Sequence, residues 1–354
     1  MTQTKRQLLN LPFQRVMIRN VSPVAIRLRN DFQSFVQLLQ FSSNTKFQTL
    51  IAAISQNLSD IPQIFHKFAR IMEKKRTKIV FVPVGGLANR MYSTCAAITL
   101  AKKVCSELQI IWFRDQALHA AFHDLFSPSQ LPSTTQIKEA TISDLFIYDR
   151  PRKRNFYIPS FFQKIIFKSY RLYEYQTHQL HSQNFDFKTW AKNGGYIASY
   201  MTFYPYPKKL LKDIFVPVPK IKEVIKVRCS RFSGYTVGVH IRRTDNILSI
   251  QHSPIEAFYK YLDKEQAEHP DLCIYLATDS EDVKKEMIAR YGEKIICAEN
   301  KANRDTTEGI RDGIADLFTL ANTQKIYGSF HSSFSIMASE LGNIPLTVVE
   351  KYKQ

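Results

Sequence analysis

The stretch "KIVFVPVGGLANRMYSTCAAITLAKKVCSELQIIWF", residues 78–113, decides the fold. It opens with a short apolar run of strand length, which Gly85 and Gly86 end in a turn. A long helical pattern follows, and "ELQIIWF" is again a short apolar run. Strand, glycine turn, helix and strand together predict a βαβ unit, in which the two strands lie parallel.

The C-terminal third of the chain repeats this alternation of strand and helix. Its helices are amphipathic, and one of them, "SPIEAFYKYLDKEQAEH", predicts a capping box with Ser253 at the N-cap and Glu256 at the third helical position. Apolar strands joined by amphipathic crossovers indicate a parallel, doubly wound sheet. The predicted strands are "YTVGVHI", "LCIYLAT", "KIICA", "QKIYGS" and "PLTVV".

Three segments are expected along the chain. Residues 1–76 form a basic helical extension, residues 77–220 an N-terminal Rossmann-like domain, and residues 221–354 a C-terminal Rossmann-like domain. The proline-rich "VPVPK" and the loop "CSRFSG" place the boundary between the two domains.

The composition points to an anionic partner. Lys and Arg number 49 against 31 Asp and Glu, which gives a net charge of +18, and residues 1–76 carry half of that excess. This segment is either an amphipathic extension packed on the main body or a surface attracted to anionic lipid. No signal peptide or membrane-spanning run is recognised, and the five scattered cysteines show no metal-binding spacing, so we expect a cytoplasmic protein.

Residues 148–195 interleave basic and aromatic side chains, as in "YDRPRKRNFYIPSFFQKIIFKSYRLYEY". Such runs can bind single-stranded nucleic acid or a membrane interface. The competing interpretation is an inserted loop region whose aromatic rings pack onto the domain.

Polar residues recur where the predicted strands end. Ligands of open parallel sheets bind beyond the carboxyl ends of the strands. Arginine presents a planar fork to phosphate oxygens, and a serine-rich helix start offers hydroxyls and backbone N–H groups. The set therefore suits a diphosphate, with Asp279 as an acceptor for ribose hydroxyls. The candidate binding and catalytic residues at the strand ends are Gly86, Asn89, His240, Arg242, Arg243, Asp279, Ser332 and Ser333.

Each of these residues also has a purely structural interpretation. The arginines can form interdomain salt bridges, and Asp279, Ser332 and Ser333 can cap helices. The sequence contains neither G-x-G-x-x-G nor G-x-x-x-x-G-K-[ST], and it lacks the D-x-D pair that holds a divalent metal on a sugar diphosphate. If the ligand is a sugar diphosphate, arginine must replace the metal.

Three blocks resemble the metal-independent fucosyltransferases. "GVHIRRTD", "IYLATDSEDVKKEM" and "GIADLFTLANTQKIYGSFHSSFSIMASE" are most similar to the α1,6-fucosyltransferase and bacterial nodulation-fucosyltransferase branch. "VGGLANRMYSTCAAITLA" resembles the glycine turn of the related α1,2 branch, and the likeness covers roughly residues 77–350. It implies a GT-B-like fold, in which two Rossmann-like domains face a cleft.

The resemblance also implies roles for individual residues. It places Arg242 on the β-phosphate of GDP-fucose, with Arg243 beside it, and it places His240 and Asp316 near guanine. Asp279 would lie beside the ribose. Ser332, followed by Ser333, would lie at a phosphate, and Gly86 and Asn89 would face the diphosphate across the cleft.

One departure concerns the catalytic base. The loop after the R-R-x-D block, "NILSIQHS", lacks the glutamate of the α1,6 branch, and Glu256 is assigned to the capping box. Asp245 and His252 are the candidate bases, and an oxocarbenium-like transition state can also dispense with a base.

These observations predict an inverting glycosyltransferase that moves fucose from GDP-fucose to a glycan acceptor in surface-polysaccharide or glycolipid synthesis. No cofactor or divalent metal is expected, and the partners are the nucleotide sugar and the glycan, with no nucleic acid. Residues 1–76 would add a peripheral contact with the inner face of the membrane. The alternatives are an enzyme for another nucleotide sugar and a non-enzymatic binder of nucleic acid or membrane surfaces.

Overall fold

The structure is a computed structural model that describes residues 77–150, 158–167, 171–244, 246–300 and 302–351. The predicted helical extension, residues 1–76, and the candidate catalytic residue Asp245 lie outside the described residues. In the part of the chain that is described, no helix is long and apolar enough to cross a membrane.

The first half of the described chain is built on a parallel sheet with the strand order β3-β2-β1-β5-β4. Its strands are β1 (Lys78–Pro83), β2 (Glu107–Trp112), β3 (Thr135–Glu139), β4 (Arg171–Leu172) and β5 (Gly195–Ser199). Its helices are α1 (Leu87–Lys103), α2 (Ile142–Leu145), α3 (Ile158–Ile166), α4 (Glu174–Ser182) and α5 (Phe187–Ala191), with a 3-10 turn at Phe122–Asp124.

Two helices, α6 (Lys209–Ile214) and α7 (Pro219–Cys229), lead to the second sheet, whose parallel strands follow the order β10-β9-β6-β7-β8. Its strands are β6 (Tyr235–Ile241), β7 (Leu272–Thr278), β8 (Ile295–Cys297), β9 (Lys325–Ser329) and β10 (Leu346–Val349). Its helices are α8 (Ile247–His252), α9 (Ile255–Glu268), α10 (Glu281–Tyr291), α11 (Thr307–Leu320) and α12 (Ser333–Gly342), with a 3-10 turn at Gly292–Lys294.

The expected pair of parallel α/β sheets is confirmed, and every strand named from the sequence is present. The sequence did not indicate β3, the two-residue β4 or helix α7. The domain boundaries at residues 76–77 and 220–221 remain predictions, although α7 packs against α11 of the second half.

The predicted capping box at Ser253 is wrong. Helix α9 begins at Ile255 with Pro254 at its N-cap, and no side chain caps it. The Ser253 hydroxyl instead donates to the Val349 carbonyl at 2.5 Å and accepts from the Phe330 N–H at 2.8 Å. A tertiary contact to the ends of β9 and β10 therefore uses the hydroxyl that the local pattern assigned to the helix.

The basic and aromatic segment, residues 148–195, packs several of its described rings inward, whereas Tyr175 is 67% exposed. Tyr196 on β5 is fully buried, and its ring lies 6.0 Å from the rings of Tyr148 and Tyr173 and 6.3 Å from that of Phe167. This arrangement favours the packing interpretation for these rings. The basic residues of 151–157 and 168–170 lie outside the described residues.

A buried arginine fixes the glycine turn after β1. Gly85 has φ of 87°, a conformation that costs glycine little and other residues much. Arg90, which is fully buried, donates to the Gly85 carbonyl at 2.8 Å, to the Phe113 carbonyl at 2.6 Å and to Asp115 Oδ1 at 2.8 Å. Its guanidinium therefore ties the turn after β1 to the loop after β2.

Replacing Arg90 should destabilise the protein strongly. In Arg90→Met the Asp115 carboxylate, which is 11% exposed, loses its countercharge and two carbonyls lose a donor. We expect the free energy of unfolding to fall by about 3 to 5 kcal/mol. Chemical denaturation measures the change, with Arg114→Met as the control, because Arg114 is 61% exposed and lies 3.9 Å from Asp124. That surface pair should contribute about 1 kcal/mol or less. Equal losses in the two variants would contradict the structural role of Arg90.

Candidate functional site

A cavity of about 230 Å³ lies at the carboxyl ends of the strands. Gly86, Leu87 and Ala88 line it from the first half, together with Ala117 and Leu118 after β2. Most of the remaining lining comes from the ends of β6, β7 and β8, from the loop between β8 and α11, from helices α10 and α11 and from the start of α12. The cavity therefore lies where both halves meet, at the edge at which parallel sheets bind ligands.

Two helix starts point at this cavity. Gly86 is the N-cap of α1 and Ser332 is the N-cap of α12, and both residues line the cavity. Neither cap makes a side-chain hydrogen bond to its own helix. The first N–H groups of a helix have no partner within the helix and carry its partial positive charge. Helices α1 and α12 pack against each other, and the N-terminal ends of both lie at this one cavity.

Arg242 follows β6 directly and lines the cavity. Its backbone N–H donates to the Ser329 hydroxyl at 3.0 Å, which joins the end of β6 to the end of β9. Its guanidinium Nε lies 3.4 Å from Asp279 Oδ2. Arg242 is therefore held by both neighbouring strands of the sheet, at the point where the strand order reverses.

Asp279, which follows β7, arranges the turn that carries the arginines. Its Oδ1 accepts the Arg243 backbone N–H at 2.7 Å, and its Oδ2 accepts the Thr244 hydroxyl at 2.7 Å. The N-cap of α10 is Ser280, not Asp279, so the capping interpretation of Asp279 is wrong. Its observed contacts are with the arginine turn, while the expected contact with ribose remains a prediction.

Arg243 occupies a different environment from its neighbour. Its guanidinium donates to the Arg242 carbonyl at 3.0 Å and to the Ser253 carbonyl at 2.7 Å, and it is not among the cavity-lining residues. Consecutive residues of an extended chain point to opposite sides, which explains the separation. Asn89 likewise does not line the cavity, whereas Gly86 does.

His240, the last but one residue of β6, forms part of the cavity wall in a buried position. Its ring stacks on that of Phe334 at a centroid distance of 4.8 Å, and its Nδ1 lies 3.2 Å from the Ser332 hydroxyl. Burial, assisted by the charge of Arg242, lowers the pKa of His240 to about 4. The imidazole is therefore neutral at pH 7 and fixes the start of α12 without adding charge.

The end of the cavity formed by α11 is acidic. Asp312 and Asp316 are one helical turn apart and both line the cavity. Arg228 from α7 donates to Asp316 Oδ1 at 2.9 Å and also pairs with Asp312 Oδ1. The Tyr275 hydroxyl donates to the same oxygen of Asp316 at 2.5 Å.

Two carboxylates of this acidic cluster face the Arg228 guanidinium, and the charge of Lys284, which also lines the cavity, acts on Asp316. Burial raises the pKa of Asp316 to about 6, although these cations oppose the shift. Above that pH Asp316 carries its negative charge. Among the described residues the hydrogen bonds use Oδ1 of each carboxylate, so Oδ2 of each remains an acceptor.

The structure does not bring the other candidate bases into the cavity. His252 packs its ring 4.6 Å from that of Phe330, and neither His252 nor Glu256 lines the cavity. Within the described ranges, no group of three or more His, Cys, Asp or Glu side chains is arranged to hold a metal ion.

Several residues that shape the cavity are not recognisable as site residues from the sequence. Arg228 lies in the run "KIKEVIKVRC", in which its charge is indistinguishable from that of the neighbouring lysines. Lys284 and Arg304 line the cavity from α10 and from the loop after β8. One indication of the site is present in the sequence, at Gly313. It lies in the middle of an amphipathic helix, where glycine lowers the stability of the helix and usually has a packing or functional reason.

Comparison with known proteins identifies no family model and no curated protein that matches the chain. Among solved structures, it is similar to NodZ α-1,6-fucosyltransferase soaked with GDP-fucose, with 15% identity and a TM-score of 0.52 over 75% of this chain and 93% of that chain. Fucosyltransferase NodZ from Bradyrhizobium gives 15% identity and a TM-score of 0.52 over 75% and 92%.

A plant protein shows the same architecture. Arabidopsis thaliana FUT1 in complex with GDP matches with 12% identity and a TM-score of 0.52, over 80% of this chain and 74% of that chain. At such low identities the likeness concerns the fold. It confirms the GT-B-like arrangement of two parallel α/β sheets that the sequence resemblance implied.

Proposed function

We propose that the protein is an inverting glycosyltransferase that moves fucose from GDP-fucose to a glycan acceptor. The observation that carries the proposal is the polarity of the cavity between the two sheets. One end presents Arg242 and two helix starts, and the other presents the carboxylates of Asp312 and Asp316. A guanosine diphosphate has the matching polarity, with anionic phosphates at one end and N–H donors at the other.

The arginine end suits the diphosphate of the donor. Breaking the glycosidic bond to the sugar leaves growing negative charge on the β-phosphate, and a fixed cation stabilises it as it develops. Arg242 is held by Ser329 and Asp279, so it needs little reorganisation to act. The helix starts at Gly86 and Ser332 add backbone N–H donors for the phosphate oxygens.

The acidic end suits guanine better than the other bases. Guanine presents two adjacent donors, N1–H and the 2-amino group, which fit one carboxylate or a carboxylate pair. Adenine offers one donor next to an acceptor at this edge, and uracil offers one donor between two carbonyl oxygens. An acceptor directed at a carboxylate is repelled, so Asp312 and Asp316 select for guanine.

The solved neighbours support the choice of donor. One NodZ structure was soaked with GDP-fucose, and the Arabidopsis FUT1 structure holds GDP. Another guanine nucleotide sugar would fit the same polarity and is the second candidate donor. No divalent metal enters the proposed step, since Arg242 supplies the positive charge that a metal would otherwise bring.

We assign transfer to a glycan of a surface polysaccharide or glycolipid, in the cytoplasm, with residues 1–76 contacting the inner face of the membrane through their excess of Lys and Arg. In an oxocarbenium-like transition state the nucleophile needs little activation. Asp245, two residues after Arg243 in the sequence, remains the candidate base.

The donor assignment is tested by nucleotide binding and a donor screen in EDTA. GDP should raise the melting temperature by several degrees, while ADP and UDP at equal concentration should not. Mass spectrometry should then detect fucose transfer from GDP-fucose with inverted anomeric configuration, undiminished by EDTA. A preference for another nucleotide, or activity that EDTA abolishes and Mg²⁺ or Mn²⁺ restores, would refute the assignment. Salt-dependent binding of oligonucleotides without affinity for GDP would favour the non-enzymatic alternative.

Arg242 should be required for turnover rather than for folding. Removing one preorganised cation from a developing charge costs about 10²- to 10³-fold in kcat. Arg242→Lys keeps the charge but loses the two-pronged fork, so it should recover little of the activity lost in Arg242→Ala. The measurement is kcat and apo melting temperature on the same samples, with Arg290→Ala as a charge-matched control away from the cavity. Turnover near wild type in a stable Arg242 variant would exclude the catalytic role.

Gly313 should govern access to the acidic end of the cavity. A Cβ added at this position meets no heavy atom within 4 Å, so a side chain there would extend into open space. Gly313→Leu should weaken GDP binding about ten- to hundredfold through steric overlap. Its melting temperature should not fall, because replacing glycine inside a helix is favourable. Gly313→Ala is the graded control and should lose less GDP affinity. If Gly313→Leu binds GDP as tightly as the wild type, the guanine ring does not lie at the acidic end of the cavity.

A further inference from the structure

Helix α7 has one side that belongs to the protein interior. Ile221 and Arg228 are buried and Ile225 is partly buried, and these three residues share one face of the helix. From this face Arg228 reaches the carboxylates of Asp312 and Asp316 on α11. The inward side of α7 is therefore fixed by its packing on α11 and by the acidic end of the cavity.

The outward side of α7 combines cations with aliphatic side chains. Lys222 and Lys226 are exposed, and Val224 and Val227 are 37% and 56% exposed. Arg231, which follows the end of the helix, is exposed as well. This outward side, defined by Lys222, Val224, Lys226, Val227 and Arg231, contains no aromatic ring and is accompanied by a single acid of the helix, Glu223.

Several of these residues are unfavourable for the helix that carries them. Its first turn has no acid and holds Lys220 and Lys222, whose charges oppose the positive end of the helix dipole. Lys222 and Lys226 are four residues apart, and like charges at this spacing repel each other. Valine is also a weaker helix former than alanine or leucine, and two valines here are exposed.

Two other helices of the second half follow the usual rules. Helix α10 begins with Glu281 and Asp282 in its first turn, and on α9 the Lys264 ammonium lies 3.8 Å from Glu268 at the favourable spacing of four residues. The outward side of α7 therefore departs from a pattern that its neighbours keep. Sequences that break such local rules commonly do so at functional sites.

The charge of this region selects the kind of partner. Residues 208–231 contain eight Lys and Arg against two Asp and Glu, which suits an anionic surface. Single-stranded nucleic acid is bound mainly by stacking on aromatic rings and by arginine, whereas the outward side of α7 offers mostly lysine and valine. Lysines beside exposed aliphatic side chains instead fit the interface of an anionic bilayer, which takes up both.

We propose that the outward side of α7 is a membrane-contact surface. Lys222, Lys226 and Arg231 bind the headgroups of anionic lipids, and Val227 enters the boundary between headgroups and acyl chains. This surface belongs to the α/β body and is separate from residues 1–76. The inference does not depend on the identity of the donor, and because Arg228 lies on the inward side, membrane contact leaves the cavity intact.

The experiment is sedimentation of the full chain with vesicles of phosphatidylcholine mixed with phosphatidylglycerol, and with vesicles of phosphatidylcholine alone. Reversing both lysines, in Lys222→Glu/Lys226→Glu, should lower the partition coefficient for the anionic vesicles about tenfold or more at low salt. The difference should shrink at high salt, because the charges are exposed. Val227→Ser should lower it about threefold at either salt concentration, since the lost contact is apolar.

The matched controls lie on the opposite face of the second sheet, against which α9 and α10 pack. Lys260→Glu/Lys285→Glu reverses two exposed lysines of these helices, and Ile288→Ser removes an aliphatic side chain of α10 that is 42% exposed. Both should bind the anionic vesicles within about twofold of wild type, because charges beyond a Debye length are screened. The melting temperature and the GDP affinity of every variant should match those of the wild type.

Each result bears on one of the two proposals. Wild-type vesicle binding by Lys222→Glu/Lys226→Glu overturns the surface, and so does an equal loss in the lysine control, because net charge alone then explains the effect. Equal binding of both kinds of vesicle overturns the role of the cations. If the α7 variant loses affinity for a single-stranded oligonucleotide but not for vesicles, the surface is a nucleic-acid site. A wild-type protein that binds anionic vesicles through α7 but not GDP refutes the donor and supports the membrane contact.

Discussion

Compensation of arginine charge at buried and partly buried positions is the constraint on which this architecture depends. Arg90 meets Asp115, Arg228 meets Asp312 and Asp316, and Arg242 meets Asp279. An arginine cannot lose its proton to escape a low-dielectric site, so each one must be given a carboxylate or carbonyl oxygens. In this protein those partners come from the neighbouring strand end or helix, and the ion pairs therefore also fix how the loops around the cavity lie.

The sequence could predict most of the architecture because the signals are local. Apolar runs of strand length alternate with helical patterns, and polar residues stand where the runs stop. His240, Arg242 and Ser332 were found in this way, and the structure brings all three to one cavity. Short strands carry no such signal: β4 has two residues and is defined only by its pairing with β5. Its existence follows from tertiary contacts and not from the periodicity of its own residues.

Side-chain direction separated residues that the motif had grouped together. Arg242 and Arg243 are adjacent, but one lines the cavity and the other donates to two backbone carbonyls. Charge type alone cannot tell them apart, whereas the alternation of an extended chain can. Arg304 is the opposite case. Its neighbours in the sequence do not indicate a binding site, yet its side chain lines the cavity. Its position depends on the His119 loop, which lies far away along the chain and contacts the Arg304 loop only in the folded structure.

In the proposed function, the distribution of charged side chains along the cavity would set the direction in which the nucleotide lies. Arg242 lies beside Asp279 at one end, and Asp312 and Asp316 lie around Arg228 at the other. A ligand with the reverse order of charge would meet like charge at both ends. Such a cavity would select orientation by repulsion as much as by attraction, which is how a site discriminates against wrong ligands with few contacts.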